Sequence, residues 1–246
     1  MLNHILFYLT IFLSNIIQGI TGFAGTLLAM PFSLRLVGAD IAVPVLNFLG
    51  FVSGLYVFLP NRDKVVWGEI KKVVTIMIPF MFLGVLIRER LMEQQRILYL
   101  ILGVLVIFMA IRGLRDSFLK RDEKDKKPLS DPVMNLILIL SGIIHGMFVS
   151  GGSLLVIYMA ERLDDKTAFR STLSAVWVIL NGILLVTQIF SGDITGEVAM
   201  NELIALPVLF LAMYIGSVLF KRMEQRTFLI ITYILLIISG ISLFIK

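Results

Sequence analysis

The chain has 246 residues, of which 58% are hydrophobic and only 16% charged, with a mean hydropathy of +0.95. A soluble domain is nearer half apolar and a quarter charged. Apolar runs of close to the ~20 residues that cross a bilayer as helix recur throughout, and none alternates as a membrane β-strand does. The expected fold class is therefore all-α: a polytopic helical membrane protein.

Lys and Arg number 22 against 17 Asp and Glu, a net charge of +5. The basic residues fall in short loops, as membrane topology requires, so the excess does not point to nucleic acid. There are no cysteines, which excludes disulfides, thiol catalysis and cysteine metal sites. Met1-Leu2-Asn3-His4 lacks a basic n-region and a cleavage site, so the first apolar segment is expected to stay as a membrane element.

In chain order, the first half carries four membrane segments: His4 to Val37, Ile41 to Leu59, Trp67 to Ile87, and Ile97 to Ile111. The first of them is interrupted by Gln18-Gly19-Ile20-Thr21-Gly22-Phe23-Ala24-Gly25-Thr26. A polar stretch of mixed charge, Arg115 to Asp131, then reads as a solvated linker. Four more segments follow: Val133 to Ala160, Ala168 to Phe190, Leu203 to Phe220, and Phe228 to Ile245. Again the first is interrupted, by His145-Gly146-Met147-Phe148-Val149-Ser150-Gly151-Gly152-Ser153.

Gly19 lines up with Gly146 and Gly25 with Gly152, both at an offset of 127. Gly68-Glu69 matches Gly196-Glu197 and Pro79 matches Pro207 at 128, and Met92-Glu93-Gln94 matches Met223-Glu224-Gln225 at 131. An internal duplication accounts for this, with residues 1–114 as the first membrane repeat, 115–131 as a cytoplasmic linker and 132–246 as the second repeat.

The distribution of positive charge decides between two topologies, because cytoplasmic loops collect Lys and Arg. If each broken segment crosses once, the two sides hold 12 and 10 basic residues. If each is a re-entrant hairpin, they hold 17 and 5, and the Lys/Arg-free loop Ser191 to Glu202 falls outside. Hairpins also invert the two halves relative to each other, the arrangement of alternating-access transporters. Arg88, Arg90 and Arg96 facing outward count against this reading.

A duplicated, broken, glycine-rich helix is the sequence pointer to a transporter's substrate site. Broken backbone inside a bilayer must be satisfied by protein, water or ligand. Glycines allow close approach, and the half-helix beginning at the break aims free N–H groups and a positive dipole end inward. Thr26 and Ser153 follow the last glycine of each break, where they can cap that helix or donate to a substrate oxygen. Glycine and serine can equally serve close helix packing.

His145 is the one ionisable side chain deep in an apolar segment; it can donate to an anion, carry a proton, or pack as a satisfied core histidine. Its counterpart Gln18 cannot titrate. Arg170-Ser171-Thr172 opens the sixth segment, with Arg170 either pairing an anion at the cytoplasmic mouth or setting topology. Asn47, Ser174 and Asn181 are polar in apolar helices, and line a pathway or bond between helices. Pro31, Pro79 and Pro207 read as kinks. No G-x-S-x-G, H-E-x-x-H, P-loop or intramembrane carboxylate pair occurs, so no catalysis is expected.

With those residues stated, the chain resembles the sulfite exporter TauE/SafE family. The carrying features are Gln18-Gly19-x-x-Gly22-Phe23-x-Gly25 with Leu28-Ala29-Met30-Pro31, the Gly146 to Ser153 break, and Ala168-x-x-Ser171-Thr172 after it. The resemblance implies a secondary transporter of small anions, often sulfur-containing ones such as sulfite or sulfonates, with proton coupling in at least some members. Two features depart from the family: Tyr158 stands where the first half has Pro31, and the deep segments offer no Asp or Glu as proton carrier.

Together these readings predict a multi-pass plasma-membrane transporter of a small sulfur oxyanion or organosulfonate such as sulfite or sulfoacetate, with alternating access around a midplane site between the two breaks. The substrate-binding candidates are Gln18, Gly19, Thr21, Gly22, Phe23, Gly25, Thr26, Asn47, His145, Gly146, Ser150, Gly151, Gly152, Ser153, Arg170, Ser171 and Thr172, with His145 as proton-carrier candidate. The expected partners are that anion, the lipid bilayer, a proton as candidate coupling ion and a second copy as candidate homodimer mate. No cofactor, metal or nucleic acid is expected. The rival readings are a non-transporting scaffold or assembly protein and a membrane-embedded enzyme.

Overall fold

A computed structural model describes residues 2–91, 95–118, 129–148, 152–242 and 244. Ten α-helices make up the described chain: α1 (Leu2–Thr21), α2 (Ala24–Val37), α3 (Ala39–Phe58), α4 (Trp67–Leu91), α5 (Gln95–Phe118), α6 (Asp131–Phe148), α7 (Gly152–Arg162), α8 (Lys166–Ser191), α9 (Gly196–Arg222) and α10 (Gln225–Ser242). A short 3₁₀ turn, Leu59–Lys64, joins α3 to the loop before α4. Four stretches are long and apolar enough to cross a bilayer: Leu2–Thr21, Asp40–Lys64, Lys166–Ser191 and Gly196–Arg222. Their outward faces carry bare hydrocarbon, as at Leu9 and Leu13 on α1, Phe190 on α8 and Leu203 and Leu211 on α9. Water would not tolerate such faces, and lipid does. The chain is a multi-pass helical membrane protein.

Two helices run past their apolar stretches. α9 starts at Gly196, seven residues before the hydrophobic run, because the Thr195 hydroxyl accepts from Val198 N at 3.3 Å and Glu197 stands in the first turn. α5 continues beyond Ile111 to Phe118 through Arg112 and Arg115, so the linker's first residues are helical.

The chain divides into two compact units. The first comprises residues 1–66 and 170–223, the second 67–169 and 224–246. Each takes helices from both halves of the sequence, so the units differ from the repeats. In the first unit α1 packs on α9 and α2, and α3 packs on α2 and α9. Phe7, Ile11, Ala29, Leu46, Leu49, Leu209 and Met213 form its apolar centre. In the second unit α4 packs on α6 and α5 on α10, with Phe169 edge-on to Phe228 at 5.4 Å.

Between helices already in lipid, close packing of small residues replaces the hydrophobic effect as the driving force. A Cβ added at Gly19 would stand 3.0 Å from both Gly216 Cα and Met213 O, so α1 and α9 cross backbone to backbone. At Gly216 the added carbon would run into Ile16 O; at Gly84 on α4 it would run into Ile143 O, and residues 16 and 143 are again 127 apart.

Candidate functional site

The first break is the space between α1 and α2. Gly22 sits at φ +82°, a conformation L side chains rarely adopt. There the chain reverses: a Cβ at Gly25 would be 3.2 Å from Asn15 Oδ1, although ten residues separate them. The reversal decides how the first turn of α2 is capped. Gln18 Oε1 accepts from Gly25 N at 2.8 Å, and Thr21 Oγ1 accepts from Phe23 N and Ala24 N, each at 3.4 Å. The caps thus come from residues before the break rather than from Thr26. Gln18 in turn donates to Ser53 Oγ on α3 at 3.3 Å, and Ser53 donates to Gly50 O at 3.0 Å.

α8 passes against this break. A Cβ at Gly22 would lie 3.1 Å from Arg170 Cγ and 3.2 Å from Ser174 Oγ. Arg170 is only 6% exposed. Its Nη2 donates to Ser217 Oγ at 2.8 Å, its guanidinium lies 4.4 Å from the centre of the Phe220 ring, and its Nε has no partner. Among the described residues no carboxylate pairs with it. Ser174 is fully buried with its hydroxyl unpartnered. Ser171 is buried, and Thr172 is committed to the fold, its Oγ1 accepting from Val66 N at 2.9 Å.

Further along, Asn47 Nδ2 donates to Asn181 O at 3.3 Å and to Gln188 Oε1 at 2.8 Å, and Asn47 Oδ1 is left unpartnered. Gly50 makes room for this: its Cβ would meet Asn181 Nδ2 at 2.7 Å and Thr26 Oγ1 at 3.4 Å.

The second break belongs to the second unit. His145 is 2% exposed in the last turn of α6, and Gly146 lies directly on the Met81 backbone of α4. Gly152 opens α7, whose residues Ser153 to Ala160 are buried on every side. Tyr158, where the first half has Pro31, donates to Glu69 Oε2 at 2.5 Å, and Arg162 pairs with Asp131. Ser150 and Gly151 lie outside the described residues.

Of the residues singled out from sequence, Gln18, Gly19, Thr21, Gly22, Phe23, Gly25, Thr26, Asn47, Arg170, Ser171 and Thr172 gather in the first unit. His145, Gly146, Gly152 and Ser153 stand in the second. Sequence reasoning missed Ser53, Gln188, Ser217 and Phe220, which complete the surroundings of Gln18, Asn47 and Arg170. Among the described residues no cluster of His, Asp or Glu is arranged to hold a metal ion.

Comparison with known proteins gives the family. The sulfite exporter TauE/SafE family model matches residues 7–243. A protein of Comamonas testosteroni named probable inner membrane transporter protein TsaS is 25% identical over 186 residues, covering 74% of each chain. No solved structure matches significantly. A match over nearly the whole length, together with the helical membrane fold and the glycine-broken segments, settles the assignment: the chain belongs to the sulfite exporter TauE/SafE family.

Proposed function

We propose that this protein is a secondary transporter of a small anion, and that the first glycine break, with the α8 residues against it, is where the anion is recognised. The observation carrying this reading is Arg170. A cation taken out of water is costly unless a partner compensates it. This guanidinium is held from the side by Ser217 and Phe220, while its Nε and the Ser174 hydroxyl, one turn further along α8, both lack a partner. An oxyanion supplies both the missing charge and the missing acceptors, and a guanidinium fork suits its geometry.

A sulfur oxyanion or organosulfonate, such as sulfite or sulfoacetate, is the substrate class that the family suggests. Alternating access between two inverted repeats is supported by the paired glycine motifs and by the matched crossings of Gly216 at Ile16 and Gly84 at Ile143. The packing of α1 on α2, and of α6 on α7, supports hairpins at the breaks.

The test is uptake of radiolabelled sulfite into proteoliposomes, with sulfate, thiosulfate, sulfoacetate and acetate as competitors. Saturable uptake that Arg170→Gln abolishes and Arg170→Lys partly retains is expected. Absence of uptake for every anion, or an Arg170→Gln variant equal to wild type, overturns the proposal.

A further inference from the structure

Five polar residues of α8 share one face, while Ser171, Thr172 and Thr187 lie off it. Arg170, Ser174, Trp177, Asn181 and Gln188 are spaced 4, 3, 4 and 7 apart, which at 3.6 residues per turn puts them within about 60° of one another around the helix. From the first to the last the rise is about 27 Å, against a hydrocarbon core of roughly 30 Å. The stripe therefore runs nearly the full depth of a helix long enough to span the membrane. The opposite side of the same helix, at Val186, Ile189 and Phe190, is exposed hydrocarbon.

The stripe meets a thinned helix. Asn47, Gly50 and Gly54 lie on one face of α3, three and four residues apart. A Cβ at Gly54 would stand 3.0 Å from Val178 Cγ2 and 3.1 Å from Ser174 O, and one at Gly50 would stand 2.7 Å from Asn181 Nδ2. Every polar side chain of the stripe can donate a hydrogen bond, and none is acidic.

Interhelical bonding alone is a poor account of this pattern, because buried polar atoms then find partners. Here Arg170 Nε, Ser174 Oγ and Asn47 Oδ1 have none, although each residue is less than a tenth exposed. We infer that the α3–α8 seam is the transport lane of the first unit, lined by donors to pass a partly dehydrated oxyanion and closed, at the end away from Arg170, by the Asn47–Gln188 hydrogen bond. This rests on the anion-transporter reading and adds the route to it.

The chain has no cysteine of its own, so the lane can be mapped in the full-length protein. Single variants Ser174→Cys, Asn181→Cys and Gln188→Cys, with Val186→Cys as the lipid-facing control, are reconstituted in proteoliposomes. They are then exposed to a negatively charged methanethiosulfonate with and without saturating sulfite.

The three lane cysteines should react, sulfite should slow the reaction, and Val186→Cys should stay silent. Adding Gln188→Ala to Asn181→Cys should raise its labelling rate about tenfold, the opening expected when one closing hydrogen bond is lost. Lane cysteines as silent as Val186→Cys in a protein that still transports sulfite would overturn the lane and leave the transporter reading standing. Sulfite-protected labelling in a protein that moves no tested anion would do the reverse.

Discussion

Gln18 separates the structural duty of the first break from its duty to the substrate. It is 4% exposed and its Oε1 accepts from Gly25 N at 2.8 Å. Gln18→Ala removes that acceptor and leaves a buried N–H unpaired at a helix start, a loss of about 1–3 kcal/mol. Gln18→Glu has the same shape and keeps an acceptor in place, and a carboxylate suits a helix N-terminus. The fold should therefore hold in Gln18→Glu.

An anion bound beside the break would now face a second negative charge. At a separation of about 6 Å and an effective dielectric constant of ~20, the repulsion is close to 3 kcal/mol, or roughly a hundredfold in affinity. Thermal unfolding in detergent and sulfite uptake in proteoliposomes read the two effects independently. Gln18→Ala should melt earlier; Gln18→Glu should melt near wild type yet show a strongly raised half-saturation concentration. A Gln18→Glu protein that transports sulfite with wild-type affinity would remove the anion from the first break.

Gly25→Leu and Gly152→Leu should each abolish transport while folded protein still reaches the membrane. At Gly25 the first added carbon already meets Gln18 Cβ at 2.8 Å; normal uptake by both variants would reduce the breaks to packing devices. Cysteines placed at Gly38 and Asn61 should label from opposite sides of the membrane, because α3 runs between them; labelling from one side only would show that α3 does not cross and would sink any topology that needs it to.

The glycine breaks were legible because two defects recur at one offset in an otherwise apolar chain. The origin of the caps was not. Looking past the break pointed to Thr26, whereas the acceptors are Gln18 and Thr21, since a reversing chain brings earlier residues back over the new helix start. The early start of α9 was hidden by Glu197, Asn201 and Glu202, which depress hydropathy although Thr195 already signals a cap. Arg170 was ambiguous in sequence because a topology-setting arginine and a buried one look alike; its burial against Phe220 distinguishes them. Helix partners were not legible either. Crossings such as Gly19 on Gly216 rest on the absence of a side chain, and a glycine carries no mark of the glycine it will meet.

The exchange of helices between the two halves bears on how the protein is made. α1 emerges first, but the helix it crosses at Gly19 is α9, which ends some 200 residues later. At ~5–20 residues per second, that is a wait of roughly 10–40 s. α4 is paired sooner, because α6 follows it after a single intervening helix. The second unit can thus begin to assemble while the first is still missing its last member. Through that interval the face of α1 bearing Gly19 lies open, and synthesis of α9 is the event that closes it.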